Sequence, residues 1–455
     1  MKIIRALKSV NYRLWFAILA TMLLPTVYQT VRIFFLGDMP SDSGINIASQ
    51  LQWVNLFYEV VQEALILPLF FLLGKSLDDK KEFSNKVRTG LVVTGGIYLA
   101  VSVIIIACAR PLIVFMQQDI AIIEQTVTYV RMETVAALFS TLWRFMSVVL
   151  VTLKRDNYMY ILLGVQMVLS VLLDTFLVSN ISVSAKLGVN GIAITNITVN
   201  LIIFAVSIIL LYREKIKLFT KEKWNFSWLK DWFKVGKFSG IESLLRNFVF
   251  MMMIVRMVNI VAEQGNYWIA NSFIWNWLLI PGLALADLVK KEIGENTENI
   301  RTKTFGYIAL TSIFAILWLL SIPLWKPFLQ YVMNVSEYET VFGIVLLETG
   351  FYITFLFNSC ICDSTFYGLG KTNYMLIQSL CIDGLYYGIM FILYLTGVFV
   401  PTLLGIALMF GIGMTLDFIP TLALYIMILK KENIKLDFNL LPNKNCDNSG
   451  NATNK

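Results

Sequence analysis

The chain has 455 residues, 57% hydrophobic and only 15% charged, with a formal net charge of +7 and no histidine. Soluble domains run at about 45–50% apolar and about 25% charged, so the composition points to lipid rather than water as the main solvent. The missing histidine excludes a histidine proton relay and most zinc or haem sites, which leaves proton chemistry to carboxylates.

A helix needs about 20 mostly apolar residues to cross the hydrocarbon core. Twelve stretches meet that length, at roughly 14–36, 51–74, 89–114, 124–153, 158–180, 187–212, 238–262, 266–289, 304–325, 338–364, 374–398 and 402–429. The basic start, "MKIIRALKSVNYRLW", looks like the charged region of a signal peptide. The apolar run behind it is too long for a signal core, however, and no small-residue cleavage site follows. It is expected to be retained as the first helix.

That helix ends in "QTVRIFFLG" and carries Arg32 about 7–8 Å below its end, at ~1.5 Å per residue. An arginine reaches water over that distance, so an outward-reaching and a cavity-facing side chain both stay open. The second helix places Asn55, Glu59 and Glu63 four residues apart on one face, with Gln52 and Gln62 beside them. Carboxylates one turn apart repel when both are charged, which suits a site that exchanges a proton or cation for substrate. The alternative is permanent pairing with arginines. Arg144, deep in the fourth helix, needs a buried partner, and Glu59 or Glu63 is the expected one. Glu133 and Arg131 fall nearer the outer end of that helix.

Residues 212–237, the longest stretch between apolar segments, hold eight basic residues together with Trp224, Phe226, Trp228, Trp232 and Phe233. This pattern suggests a helix lying at the headgroups, with binding of a soluble partner as the other reading. The seventh helix opens with Glu242 and Arg246, acid first and four apart, the favourable order for an intrahelical pair. Ser239, Ser243 and Asn247 extend that face, and a self-satisfied pair and a cavity role both stay open. Asp383 and Asp417 fall near mid-depth in the last two helices, whereas Asp287 and Asp363 fall toward the cytosol. Pro25, Pro68, Pro281 and Pro420 mark kinks.

With the amino terminus inside and alternating helices, the cytosolic segments hold 29 of the 37 Lys and Arg, and the outer loops hold only Arg110, Lys186 and Lys326. The positive-inside rule thus accounts for the basic charge without nucleic acid and puts both termini in the cytosol. Cys360-x-Cys362 and the other cysteines lack metal-type spacing.

The two halves echo each other. Asn157-Tyr158-Met159 matches Asn373-Tyr374-Met375, Gly191-Ile192-Ala193 matches Gly405-Ile406-Ala407, and Arg32 after Val31 matches Arg256 after Val255, at offsets of 214 to 224 residues. Two halves around a central site are the plan of many secondary transporters. No GxxxxGK[ST] phosphate loop is present, so an ATP-driven pump is not expected.

Several stretches resemble the multidrug and toxic compound extrusion (MATE) family: "VLSVLLDTFLV" followed by "LGVNGIAITN", "GKFSGIESLLRNF", "YGLGKTNYM", and the paired loops "GKSLDDKKEFSNKVRTG" and "KKEIGENTENIRTKTFG". The resemblance implies an all-α integral membrane fold of twelve helices in two six-helix lobes. It also implies export of amphipathic organic cations driven by sodium or protons. The lobes are expected at 1–212 and 238–430, with a cytosolic amphipathic linker at 213–237 and a cytosolic tail at 431–455. Four positions depart from the family pattern. Arg32 stands where members carry an acid in the first helix. Arg246 stands at the acid of the seventh helix, with Glu242 one turn earlier, and Asn358 at the acid of the tenth. Of the Asn-x-x-x-Asp pattern only Asp174 carries over, Ser170 taking the place of the asparagine.

The expectation is therefore an efflux antiporter working by alternating access, not an enzyme, in the plasma (inner) membrane. Its partners are a small amphipathic substrate and the bilayer, in a monomer, with no cofactor beyond Na+ or H+ as the coupling ion. Cavity-facing arginines favour anionic or zwitterionic cargo. The expected substrate and ion site comprises Asn55, Glu59, Glu63, Arg144, Arg32, Asp174, Glu242, Arg246, Arg256 and Asp383. A major facilitator transporter, for which "GKSLDDKK" supplies a partial loop motif, a lipid-linked substrate flippase and a non-transporting receptor or sensor are the alternatives.

Overall fold

The structure, a computed structural model, describes residues 6–38, 43–74, 76–77, 79–153, 155–216, 218, 223–371, 373–434 and 436. The expected tail therefore lies outside the described residues beyond 436.

In hydrocarbon every backbone N–H and C=O must be satisfied within the segment, and the long apolar runs accordingly form helices. The first six are α1 (Tyr12–Gly37), α2 (Leu51–Gly74), α3 (Lys80–Phe115), α4 (Ile123–Thr152), α5 (Asp156–Leu177) and α6 (Val189–Arg213). The second six are α7 (229–260), α8 (Gln264–Leu278 and Ile280–Glu295), α9 (Glu298–Val332), α10 (Tyr338–Gly368), α11 (Asn373–Leu395) and α12 (Leu403–Lys431). Among the described residues, nine helices are long and apolar enough to cross a membrane by composition, and ten when the bent pair of α8 counts as one span. The other two are α2 and α7, the helices that carry Glu59, Glu63, Glu242 and Arg246.

Several boundaries move from the apolar runs. Helix α3 starts at Lys80, nine residues before its apolar part, because the Asp79 side chain accepts from the N–H groups of Lys81 and Glu82 and caps the first turn. Helix α8 bends by 55° at Leu279, just before Pro281, whose ring lacks the N–H that would continue the ladder. Single π-helical turns interrupt α7 at Met251–Val255, α8 at Ile274–Leu278, α9 at Phe328–Val332, α10 at Asn358–Asp363 and α11 at Leu380–Tyr387. Among the described residues such turns are confined to the second half.

Helix α4 packs on α2, α3 and α6 in the first half, and α10 on α9 and α12 in the second. Two seams join the halves, α2 against α7 and α1 against the second part of α8. The first seam is very close. A Cβ on Gly236 would sit 1.9 Å from the Ala64 carbonyl oxygen, and one on Gly240 would sit 2.8 Å from Ala64 Cβ. On the second seam, Trp15 Nε1 donates to the Pro281 carbonyl at 3.0 Å and Trp277 Nε1 to Thr30 Oγ1 at 3.1 Å. Where α2 begins and α7 ends, Gln50 and Asn259 exchange two amide hydrogen bonds, at 2.8 and 3.2 Å, and Trp53 Nε1 donates to Gln50 Oε1.

Part of the linker packs against the first half. Trp228 and Trp232 are buried and stacked 4.8 Å apart, with Trp228 Nε1 donating to Thr89 Oγ1 and Trp232 Nε1 to the Leu65 carbonyl. Asn85 and Asn225 share two further hydrogen bonds, and the Arg88 guanidinium lies 4.9 Å over the Trp224 ring. The Trp228 and Trp232 indoles thus fill one end of the first half, where they gain both apolar contact and partners for their N–H groups. Trp224, Phe226 and Phe233 are exposed, Phe233 the most, at 72%. From Leu229 the chain is already α7.

Candidate functional site

Two adjoining cavities lie between the α1–α8 and α2–α7 seams. One, of about 480 Å³, is bounded by α1, α2, α4, α5 and α6 of the first half; the other, of about 370 Å³, reaches across to Trp268, Asn271, Trp275 and Asn276 of α8. Arg32, Asn55 and Glu59 line both.

Arg32 faces these cavities and does not reach out to water. Its Nε donates to Asp174 Oδ2 at 2.9 Å, with the side chains 14% and 3% exposed, and its guanidinium lies 5.9 Å from the Tyr28 ring. A charge so far from water requires its counter-ion, and α5 supplies one from the helix beside α1. Arg32 Nη2 and Asp174 Oδ1 have no hydrogen-bond partner among the described residues. Nearby, Glu133 of α4 accepts from Asn196 Nδ2 through both oxygens, at 2.8 and 3.0 Å. The sequence reading missed this pair because counting along α4 put Glu133 toward the outer end. Its signal is Asn196, an amide in the apolar run of α6.

The carboxylates of α2 meet an arginine, but not the expected one. Arg246 Nη2 donates to Glu63 Oε1 at 2.8 Å and to Glu59 Oε1 at 3.1 Å, while its Nη1 reaches Glu242 Oε1 at 3.2 Å. The Glu242–Arg246 pair is thus not self-contained. Ser379 of α11 also donates to Glu242, at 3.1 Å. Arg144 instead donates to Gln62 and projects into the larger cavity. The α2–α7 seam brings Arg246 in from the second half and occupies the glutamates, so Arg144 is left with an amide. Asn55 stands exposed at the wall between the cavities.

Two expected residues stand apart. Arg256, the sequence echo of Arg32, lines neither cavity: its Nε donates to the Phe115 carbonyl at 2.9 Å, its guanidinium lies 5.3 Å from the Phe115 ring, and Nη1 reaches Tyr394 at 3.4 Å. The cause lies in the partner. The repeat offsets of 214 and 216 carry Asp174 onto Gly388 and Met390, so no acid waits on α11 to hold Arg256 inward. Asp383 lies in the π turn of α11 and also lines neither cavity. In that region Asp417 accepts from Asn358 Nδ2 at 3.1 Å and Gln378 Nε2 at 2.6 Å, and fully buried Glu348 has no hydrogen-bond partner for either oxygen among the described residues.

Charge-lined cavities among long apolar helices define a multi-pass membrane protein. The particular fold follows from comparison. The MatE family model matches residues 17–176, which run from α1 through α5, and the fold is that of the MATE transporters. An inward-facing multidrug resistance MATE transporter of the MOP superfamily is similar with TM-score 0.68 at 15% identity, over 90% of this chain and 95% of its own. A mutant of the Vibrio cholerae MATE transporter VcmN matches with TM-score 0.66 at 14% identity, over 95% and 99%. A MOP superfamily transporter from Pyrococcus furiosus, described as having a binding pocket of reverse polarity that suggests a different function, matches with TM-score 0.66 at 16% identity, over 96% and 99%. No curated protein sequence matches the chain.

Proposed function

We propose that the protein is a secondary active transporter that exports amphipathic organic molecules by alternating access, driven by a sodium or proton gradient. The observation that carries this reading is the pair of charge-lined cavities between two halves that have the MATE fold. Ionisable groups at membrane depth are costly and mark transport pathways. A site between two repeats suits alternating access.

The cargo is anionic or zwitterionic. Arg32 and Arg144 face the larger cavity, and Arg32 stands where the family pattern has an acid. The Pyrococcus furiosus neighbour, with its reverse-polarity pocket, supports a departure of this kind within the fold. Trp268 and Trp275 give an apolar body a surface to lie on. The termini face the cytosol of a plasma (inner) membrane, as the distribution of basic residues supports.

Proteoliposomes test the proposal. Under an imposed proton or sodium gradient, an anionic or zwitterionic amphiphile is expected to cross faster than a cation with the same tail. Absence of gradient-dependent flux for all three cargo classes would overturn it.

A further inference from the structure

We propose that Arg246 is a proton-controlled lock between the two lobes, held shut by ionised Glu59 and Glu63 and released when they are protonated. This rests on the alternating-access reading and names the place at which that motion is regulated.

The two α2 bonds of Arg246 cross the lobe boundary, whereas its third bond, to Glu242, stays within α7. Any rocking of one lobe against the other along this seam must break or re-form the crossing bonds. The seam has a graded construction. On the cytosolic side α2 and α7 are in close contact through Gly236 and Gly240, and Ser239 Oγ donates to the Glu63 carbonyl at 2.9 Å. Beyond Arg246, α7 passes through the π turn at Met251–Val255. Such turns interrupt the regular ladder and are a recognised place for a helix to bend. The charged contact therefore sits between a welded half and a deformable one.

Charge decides which way it acts. Three carboxylates share one guanidinium, which leaves two negative charges in excess when all are ionised. Other titratable groups face the cluster. Asp363 of α10 and Asp383 of α11 lie within Coulombic range of Arg246 and Glu242, with Asp417 of α12 behind them and the Tyr367 hydroxyl alongside. Arg144 of α4 is the one further cation in range of Glu59, and Gln62 holds it. Protonation of Glu59 or Glu63 relieves the excess and converts a charged bond to Arg246 into a weaker one. The lock is accordingly shut while both are ionised and opens when they take up a proton.

The test is a distance measurement on the full chain in nanodiscs. Spin labels at Ile120→Cys and Val398→Cys, exposed positions on the outer loops of the two halves, report on the lobes in a Cys108→Ser, Cys381→Ser, Cys446→Ser background. The expected result is a shift in the inter-lobe distance between pH 8 and pH 5 at constant sodium. The Glu59→Gln, Glu63→Gln double variant is expected to hold the low-pH distance throughout. Should that variant fail to fold, Arg246→Gln removes the same bonds from the other side and is expected to do likewise. No shift with pH, a shift with sodium alone, or variants that still follow pH as the unmodified chain does would each overturn the lock. A pH-dependent distance without gradient-driven flux would sink the transport reading and leave the lock standing.

Discussion

Arg32 on α1 and Asp174 on α5 form a 2.9 Å ion pair at the wall of the cavities, although 142 residues separate them in sequence. A guanidinium, fixed by its own counter-ion, thus presents positive charge to the space through which cargo is proposed to pass.

Removing the aspartate alone isolates a buried cation. Asp174→Ala is expected to destabilise the protein by about 3–5 kcal/mol, the usual cost of breaking one side of a buried pair. Thermal melting in detergent would show it, and an unchanged melting temperature would mean that Arg32 finds another partner.

The two arginines that look alike in sequence should behave differently in binding. Arg32→Gln is expected to weaken binding of an anionic amphiphile about tenfold, equivalent to about 1.4 kcal/mol. Arg256→Gln, which changes a side chain outside both cavities, should leave the affinity essentially unchanged. Calorimetric titration of both variants decides the matter, and equal losses would remove the assignment of Arg32 to the cargo path.

At the α2–α7 seam, Gly236 is present because no side chain fits: a Cβ would meet the Ala64 carbonyl at 1.9 Å. Gly236→Val is expected to cost about 1–3 kcal/mol by forcing the helices apart. The variant should also weaken the Arg246 bonds just beyond, readable as a changed inter-lobe distance at neutral pH. A variant matching the unmodified chain in both measurements would show that the seam yields easily.

Trp228 separates a packed linker from one lying on the membrane. Trp228→Ala is expected to destabilise by about 3–5 kcal/mol through the lost apolar contact and the unmet Thr89 bond. A headgroup anchor would instead leave the melting temperature in detergent near its original value.

Much of this architecture is legible in the sequence because lipid imposes local rules. A spanning helix satisfies its backbone within itself, so the length of each apolar run can be read without knowing its neighbours. Likewise, the depth of a charge follows from counting, and Glu59, Glu63, Glu242 and Arg246 stand out as polar positions in apolar text. Partners are not legible in that way. Glu59 and Glu63 take Arg246 rather than Arg144, which donates to Gln62, a pairing that packing alone decides. Glu133 hides for a related reason: its meaning depends on Asn196, 63 residues away.

The sequence by itself determined that this is a helical membrane protein with echoing stretches and with charged positions inside its apolar runs. Only the tertiary structure decided that Arg32 turns to the cavities while Arg256 lies against Phe115 and Tyr394, and that the glutamates of one half hold an arginine of the other. The physical reason is one of range. Backbone hydrogen bonds and apolar transfer act on each segment separately, whereas an ion pair between segments forms only where the fold brings opposite charges within about 4 Å.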